Sequence, residues 1–152
     1  MAFEFKWIRR VEFSETDMAG IVHFSMFFQY MEQCEHAFYR SLGYSVINRD
    51  EEGNVGLPRI SAHMDYKKPF HFEDDMEIQL LVKEKRSRSL VYSFVFRKSG
   101  EETVRARGQL AVVSVTGHPA TGMRAVALPK HMTSSIEQAP EEVIEALSDT
   151  SK

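Results

Sequence analysis

The sequence predicts an α+β fold, an antiparallel sheet wrapped around one long central helix, and three observations predict it. Residues 26–42 repeat apolar side chains at three- and four-residue steps. Three runs within residues 77–115 alternate or stay apolar over strand lengths. Turn-forming residues separate those runs closely enough to make the strands antiparallel neighbours.

Taken in order, Phe3, Phe5, Trp7, Val11 and Phe13 alternate with charged residues, so residues 3–13 read as a first strand with one buried face. Residues 14–25 combine polar residues, Gly20 and a short apolar run, and read as a loop leading into the helix. On that helix Phe27, Tyr30, Met31, Cys34, Phe38 and Leu42 form the apolar stripe, while Glu32, Glu35 and Arg40 fall off it. Ser25 is placed to cap its start and Gly43 to end it in a left-handed conformation. Residues 44–57 read as a loop.

Strands follow at 60–66, 77–84, 90–97 and 103–115, with a bend at Pro69. A turn at residues 86–89 and a hairpin turn at 98–101 separate the last three. The GHPATG segment marks a break, after which residues 125–128 add a short strand before Pro129. Pro140 with Glu141 and Glu142 opens a C-terminal helix, acidic residues being favoured there by the helix dipole. The domain is expected over residues 1–133, with a tail carrying this short helix over 134–152.

A chain of 152 residues suits one domain with a single core. With 43% hydrophobic and 27% charged residues, the composition is that of a globular protein, and the net charge of −3 gives no general attraction to nucleic acid or anionic membrane. No stretch approaches the ~20 apolar residues of a membrane helix, and the N-terminus does not read as a signal peptide. One cysteine, Cys34, makes no internal disulfide. A cytoplasmic location is the default expectation.

The chemistry concentrates in VEFSETDMAGIVHFSMFFQYME, residues 11–32. Asp17 puts a carboxylate in a loop just ahead of a helix start, whose unpaired N–H groups and positive dipole end can polarise a carbonyl or hold an oxyanion. A carboxylate beside such a site can attack an acyl carbon or activate water. Gly20 lets the backbone pass close to a ligand. The same residues also suit a bland role, Asp17 capping a turn that Gly20 permits, and on physics alone that reading is the more economical.

The segment Ser14-Glu15-Thr16-Asp17-Met18-Ala19-Gly20-Ile21-Val22-His23-Phe24 resembles the signature of the 4-hydroxybenzoyl-CoA thioesterase family, followed in that family by a long central helix. Weaker similarity continues through Asp65-Tyr66-Lys67-Lys68-Pro69, Asp74-Asp75-Met76-Glu77-Ile78 and Arg88-Ser89-Leu90-Val91, so that the resemblance spans roughly residues 5–133. It implies a hotdog fold with active sites at a dimer interface, in a dimer or a tetramer of two dimers. It implies acyl-CoA hydrolysis with Asp17 as nucleophile or general base, and the backbone N–H of Phe24 polarising the thioester carbonyl. Basic residues near the 86–89 turn resemble those that meet CoA phosphates, and the family uses neither a metal nor a bound cofactor. Two departures bear on substrate more than on reaction. Met26 stands where many relatives have asparagine, and His23 lies one residue before the histidine of the envelope-linked members.

The substrate-binding candidates are therefore Gly20, His23, Arg59, Arg86, Arg88 and Ser89. His23 reads as a pocket-lining residue rather than a proton shuttle, since backbone amides polarise the carbonyl. Glu32 and Glu35 read as a solvated or interface face, Cys34 as a core thiol. The six histidines lack metal-ligand spacing. Arg86 and Arg88 suit a phosphate site needing fixed cations, with Lys67 and Lys68 next in line. Two other functions remain open: an acyl-thioester hydratase or dehydratase pairing Asp17 with His23, and a non-catalytic acyl-CoA or acyl-carrier-protein binding module.

Overall fold

In the computed structural model, which describes residues 1–47 and 55–149, the long helix α1 (Met26–Ser41) lies against a five-stranded sheet. The strands are β1 (Glu4–Arg10), β2 (Arg59–Tyr66), β3 (Asp75–Lys85), β4 (Ser89–Lys98) and β5 (Ala106–Val113). Their order is β1-β3-β4-β5-β2, with every pair antiparallel. The inward faces of β3 and β4 supply Ile78, Leu80, Val82, Tyr92, Phe94 and Phe96 to the core, where they meet Phe27, Tyr30, Met31, Cys34 and Phe38 of α1. Burying such side chains contributes about 1.5–3 kcal/mol each and fixes which helix face turns inward. At Gly108 on β5 an added Cβ would fall 2.4 Å from Met31 Sδ and 2.5 Å from Met64 Sδ, so the helix side chain packs directly over a residue with no side chain.

The helix ends as its sequence predicts. Gly43 has φ +93°, its N–H reaches Arg40 O at 3.0 Å, and Tyr44 N–H reaches Tyr39 O at 3.2 Å, the paired bonds of a glycine stop. The start differs: Ser25 makes no side-chain cap, because its hydroxyl is bonded to His23 Nδ1 at 2.7 Å. The first strand stops at Arg10, and Phe13 opens a single 3-10 turn (Phe13–Glu15) with its ring 75% exposed.

The expected strand over 103–115 is shorter, starting at Ala106. Ser114 then separates β5 from a two-stranded hairpin, β6 (Val115–His118) and β7 (Gly122–Ala125). GHPATG is the turn of that hairpin, and the short strand ends where it was expected to begin. The one-turn helix α2 (Lys130–Ser135) was not foreseen. Helix α3 (Glu141–Asp149) begins after Pro140 as expected, and packs on the outer face of the sheet. There Leu147 and Ala139 join Leu81, Val95 and Val104 in a second apolar cluster. Of the 44–57 loop, residues 48–54 lie outside the described residues.

Candidate active site

Residues 11–25 fold into a cross-tied loop at the end of the sheet where β3 begins. Thr16 and Val22 form an antiparallel bridge, Asp17 N–H donates to Ile21 O at 2.8 Å, and Gly20 N–H returns to Asp17 O at 3.0 Å. Gly20 takes φ +79°, which a side chain would oppose. The adjoining 70–74 segment braces the loop: Val22 N–H donates to Phe70 O at 2.9 Å, and Ile21 bridges His71.

Asp17 is half-buried. Its Oδ1 accepts Ala19 N–H at 2.8 Å and, more weakly, Ile21 N–H at 3.4 Å, while Oδ2 has no partner among the described residues. Turn capping and a free carboxylate oxygen thus coexist in one side chain. Across the loop, His23 N–H is taken by Glu15 O at 2.9 Å, but the next amide, Phe24 N–H, meets no acceptor among the described residues. Two residues later α1 begins, so this free donor lies at the positive end of a sixteen-residue helix. Tyr66 of β2 holds the next peptide along, its hydroxyl donating to Phe24 O at 2.9 Å.

His23 is exposed. Its Nδ1 accepts the Ser25 N–H at 3.3 Å, which assigns the ring proton to Nε2 and turns the 2.7 Å Ser25 hydroxyl into a donor. No described contact joins His23 to the Asp17 carboxylate. Asp17, Gly20, His23 and Phe24 are therefore gathered on one loop, without an acid–base pair between carboxylate and imidazole.

The remaining candidates lie elsewhere. Arg86, Arg88 and Ser89 form the β3–β4 turn, with Arg86 N–H donating to Ser89 O at 2.9 Å. Arg86 pairs with Glu84, while the exposed Arg88 side chain has no partner among the described residues. Ten-residue β4 separates this turn from the Asp17 end of the sheet, about 30 Å at ~3.3 Å per residue.

Arg59 opens β2 and is engaged by the helix: its Nη1 donates to both carboxylate oxygens of Glu35 at 2.8 and 2.9 Å, and its Nη2 meets Glu32 at 3.3 Å. Glu35 is fully buried, which corrects the solvated reading, whereas Glu32 is exposed. Burial pushes the Glu35 carboxyl above its ordinary value, against the opposing pull of Arg59. The spacing carried a signal, for Glu35 stands four residues after Met31 and three before Phe38, on the flank of the stripe. Cys34 is a core thiol, held far above its ordinary pKa by burial.

Four likenesses bear on this arrangement. A family model described as the thioesterase-like superfamily matches residues 11–147. A 1,4-dihydroxy-2-naphthoyl-CoA hydrolase of Prochlorococcus marinus is 29% identical over 108 residues, covering 64% of this chain and 70% of that protein. Among solved structures, a hypothetical protein from Aquifex aeolicus is 28% identical with a TM-score of 0.77, covering 88% of this chain and 99% of that one. A 1,4-dihydroxy-2-naphthoyl-CoA thioesterase from Synechocystis gives a TM-score of 0.78 at 23% identity, covering 87% and 94%. The hotdog architecture expected from the motif is the architecture of this chain.

Proposed function

The chain belongs to the thioesterase-like superfamily, and from that premise we propose that it hydrolyses acyl-CoA thioesters, with Asp17 acting on the acyl carbon. The observation that carries the reading is the pairing, on one cross-tied loop, of a carboxylate with one free oxygen and a free amide at a helix start. A thioester carbonyl seated against Phe24 N–H develops negative charge on oxygen as it is attacked, and that donor and the helix dipole stabilise the charge where it forms. Asp17 either attacks the carbon, expelling CoA thiolate and leaving an anhydride that water cleaves, or takes the proton of a water that attacks instead. Neither route requires His23.

The site is completed by a second copy of the chain. The 30 Å between the Asp17 loop and Arg86, Arg88 and Ser89 is too long for one chain to offer both as neighbouring parts of a compact site. Strand β2 is an open sheet edge beside that loop, with Ile60 and Tyr66 exposed on it and Phe24 exposed nearby. A partner seated there covers these side chains and brings its own 86–89 turn toward the CoA phosphates, giving a dimer at least, and a tetramer if two dimers pair. Beneath the loop Phe27, Phe70 and Phe96 are buried core and Tyr66 is the exposed member of the cluster, so walls for an aromatic or short to medium aliphatic acyl group come in part from the partner. A single buried thiol accords with a cytoplasmic setting.

A panel of aromatic and aliphatic acyl-CoAs, followed for thiol release alongside light scattering, tests the proposal. Thiol release by an oligomer is expected. Hydration of an enoyl-CoA without thiol release would assign the hydratase chemistry instead, and binding without either would leave an acyl-CoA binding module.

A further inference from the structure

Glu15 stands two residues before Asp17 and is buried, although nothing in the hydrolytic chemistry calls for a second carboxylate there. Its side chain accepts Arg9 Nη2 at 2.7 and 2.6 Å and Glu12 N–H at 2.8 Å, while the other arm of the guanidinium donates to Gln33 on α1 at 2.7 Å. Arg9 also lies over the Tyr30 ring, 4.5 Å from its centroid. One guanidinium therefore ties together strand β1, the loop and the central helix. The backbone of Glu15 makes the second connection, since its carbonyl holds His23 N–H, the amide next to Phe24.

Stability alone explains this arrangement poorly. A buried ion pair loses much of its Coulomb attraction to desolvation, and apolar side chains of similar volume are often as good or better. This one is also incompletely satisfied, because Arg9 Nε is buried without a hydrogen-bond partner among the described residues. What a charged, bidentate contact supplies and an apolar pair does not is direction.

Resting on the thioesterase reading, we propose that Arg9, Glu15 and Gln33 form a positioning clamp that fixes the Asp17 carboxylate relative to the Phe24 N–H. The loop has two arms: Asp17 follows Glu15 on one, and Phe24 follows His23 on the other. The arms are cross-tied at Thr16–Val22, Asp17–Ile21 and Glu15–His23, and the Glu15 side chain is where this cross-tied pair is fastened through Arg9 to β1 and α1. Without the clamp the loop keeps its local turn bonds but slides against α1, and an acyl carbon seated on Phe24 N–H no longer meets Asp17 at attacking distance. Displacements of about 1 Å in such a geometry cost on the order of a hundredfold in rate.

The test uses the full-length protein with Arg9→Met and Glu15→Leu combined, an apolar pair of similar size, and Glu15→Gln alone. Three quantities are read: melting temperature, kcat and KM for the best acyl-CoA of the panel, and hydrogen exchange at the Asp17 and His23 amides. The clamp predicts a double variant that melts close to wild type, with kcat lower by about 10–100-fold and KM changed less than about threefold. The two loop amides exchange faster while those of β3 and β4 do not. Glu15→Gln, which keeps the shape and one Arg9 bond, falls between the two. Wild-type kcat in the folded double variant, or unchanged exchange at both loop amides, overturns the clamp. An inert wild type overturns the thioesterase reading and the catalytic consequence with it, while amide exchange still decides whether the clamp holds the loop.

Discussion

Replacing Arg59 with methionine isolates the fully buried carboxylate of Glu35. Glu35 has no exposed side-chain surface, and its two oxygens are 2.8 and 2.9 Å from Arg59 Nη1. Among the described residues the only other cation-forming group within 4.0 Å of it is His36, at 3.6 Å, and burial lowers the pKa of that imidazole, leaving it neutral near pH 7. Breaking a fully buried pair costs about 3–5 kcal/mol. Arg59 is itself 26% exposed, so water reaches the vacated space and the expected cost is roughly 2–4 kcal/mol. For a chain of this size that lowers Tm by about 6–12 °C.

The pH dependence follows from direction. The Glu35 pKa is raised in the folded state by burial, so its contribution to stability is full below the unfolded carboxyl pKa and is lost as pH rises through the folded one. Removing Arg59 raises the folded pKa further, and the deficit of the variant therefore grows from near pH 5 to pH 8. Calorimetry at the two pH values measures it, and adding Glu35→Leu to Arg59→Met should recover most of the loss. A deficit equal at both pH values, or no deficit at pH 8, would refute the reasoning.

Three further outcomes are expected. His23→Ala keeps thiol release within about tenfold of wild type, about 1.4 kcal/mol of barrier, because the proposed reaction polarises the carbonyl with backbone amides; a loss of about a thousandfold would make His23 half of an acid–base pair. Arg86→Ala with Arg88→Ala raises KM for acyl-CoA severalfold and leaves kcat within about twofold, since phosphate contacts are the same in ground and transition states; an unchanged KM would move the phosphate site to other cations. Cys34 stays unreactive toward a thiol-specific disulfide reagent until denaturant is added, its thiol being buried and its pKa pushed up. Prompt modification of the native protein would show that α1 opens readily.

The elements legible in the sequence were those whose pattern is set by burial on one side. The α1 stripe and the alternation of β3 and β4 face a single core, so three- and four-residue steps in one case and two-residue steps in the other name the inward residues. The hairpin of β6 and β7 escaped because its strands are four residues each and largely exposed, leaving only turn residues to read. Ser25 shows a local rule losing to a local competitor, since a hydroxyl bonded to His23 cannot cap the helix. Glu35 was legible only as a position on the flank of the stripe, and Glu15 not at all, for another reason. Each is buried by a guanidinium, from Arg59, 24 residues along the chain, and from Arg9, on a strand whose alternation marks only a face. Asp17 was found by motif; its half-occupied carboxylate and the free Phe24 amide across the loop needed coordinates.

Thiol release by the Asp17→Asn variant, compared with wild type at saturating acyl-CoA, bears on the central claim most directly. Asparagine keeps the side-chain oxygen that accepts the Ala19 N–H, so the loop persists while the carboxylate proposed as nucleophile or base is lost. The account predicts a folded oligomer whose kcat falls by at least about 10²–10⁴-fold with KM little changed. A folded Asp17→Asn protein that turns over at near the wild-type rate would contradict it.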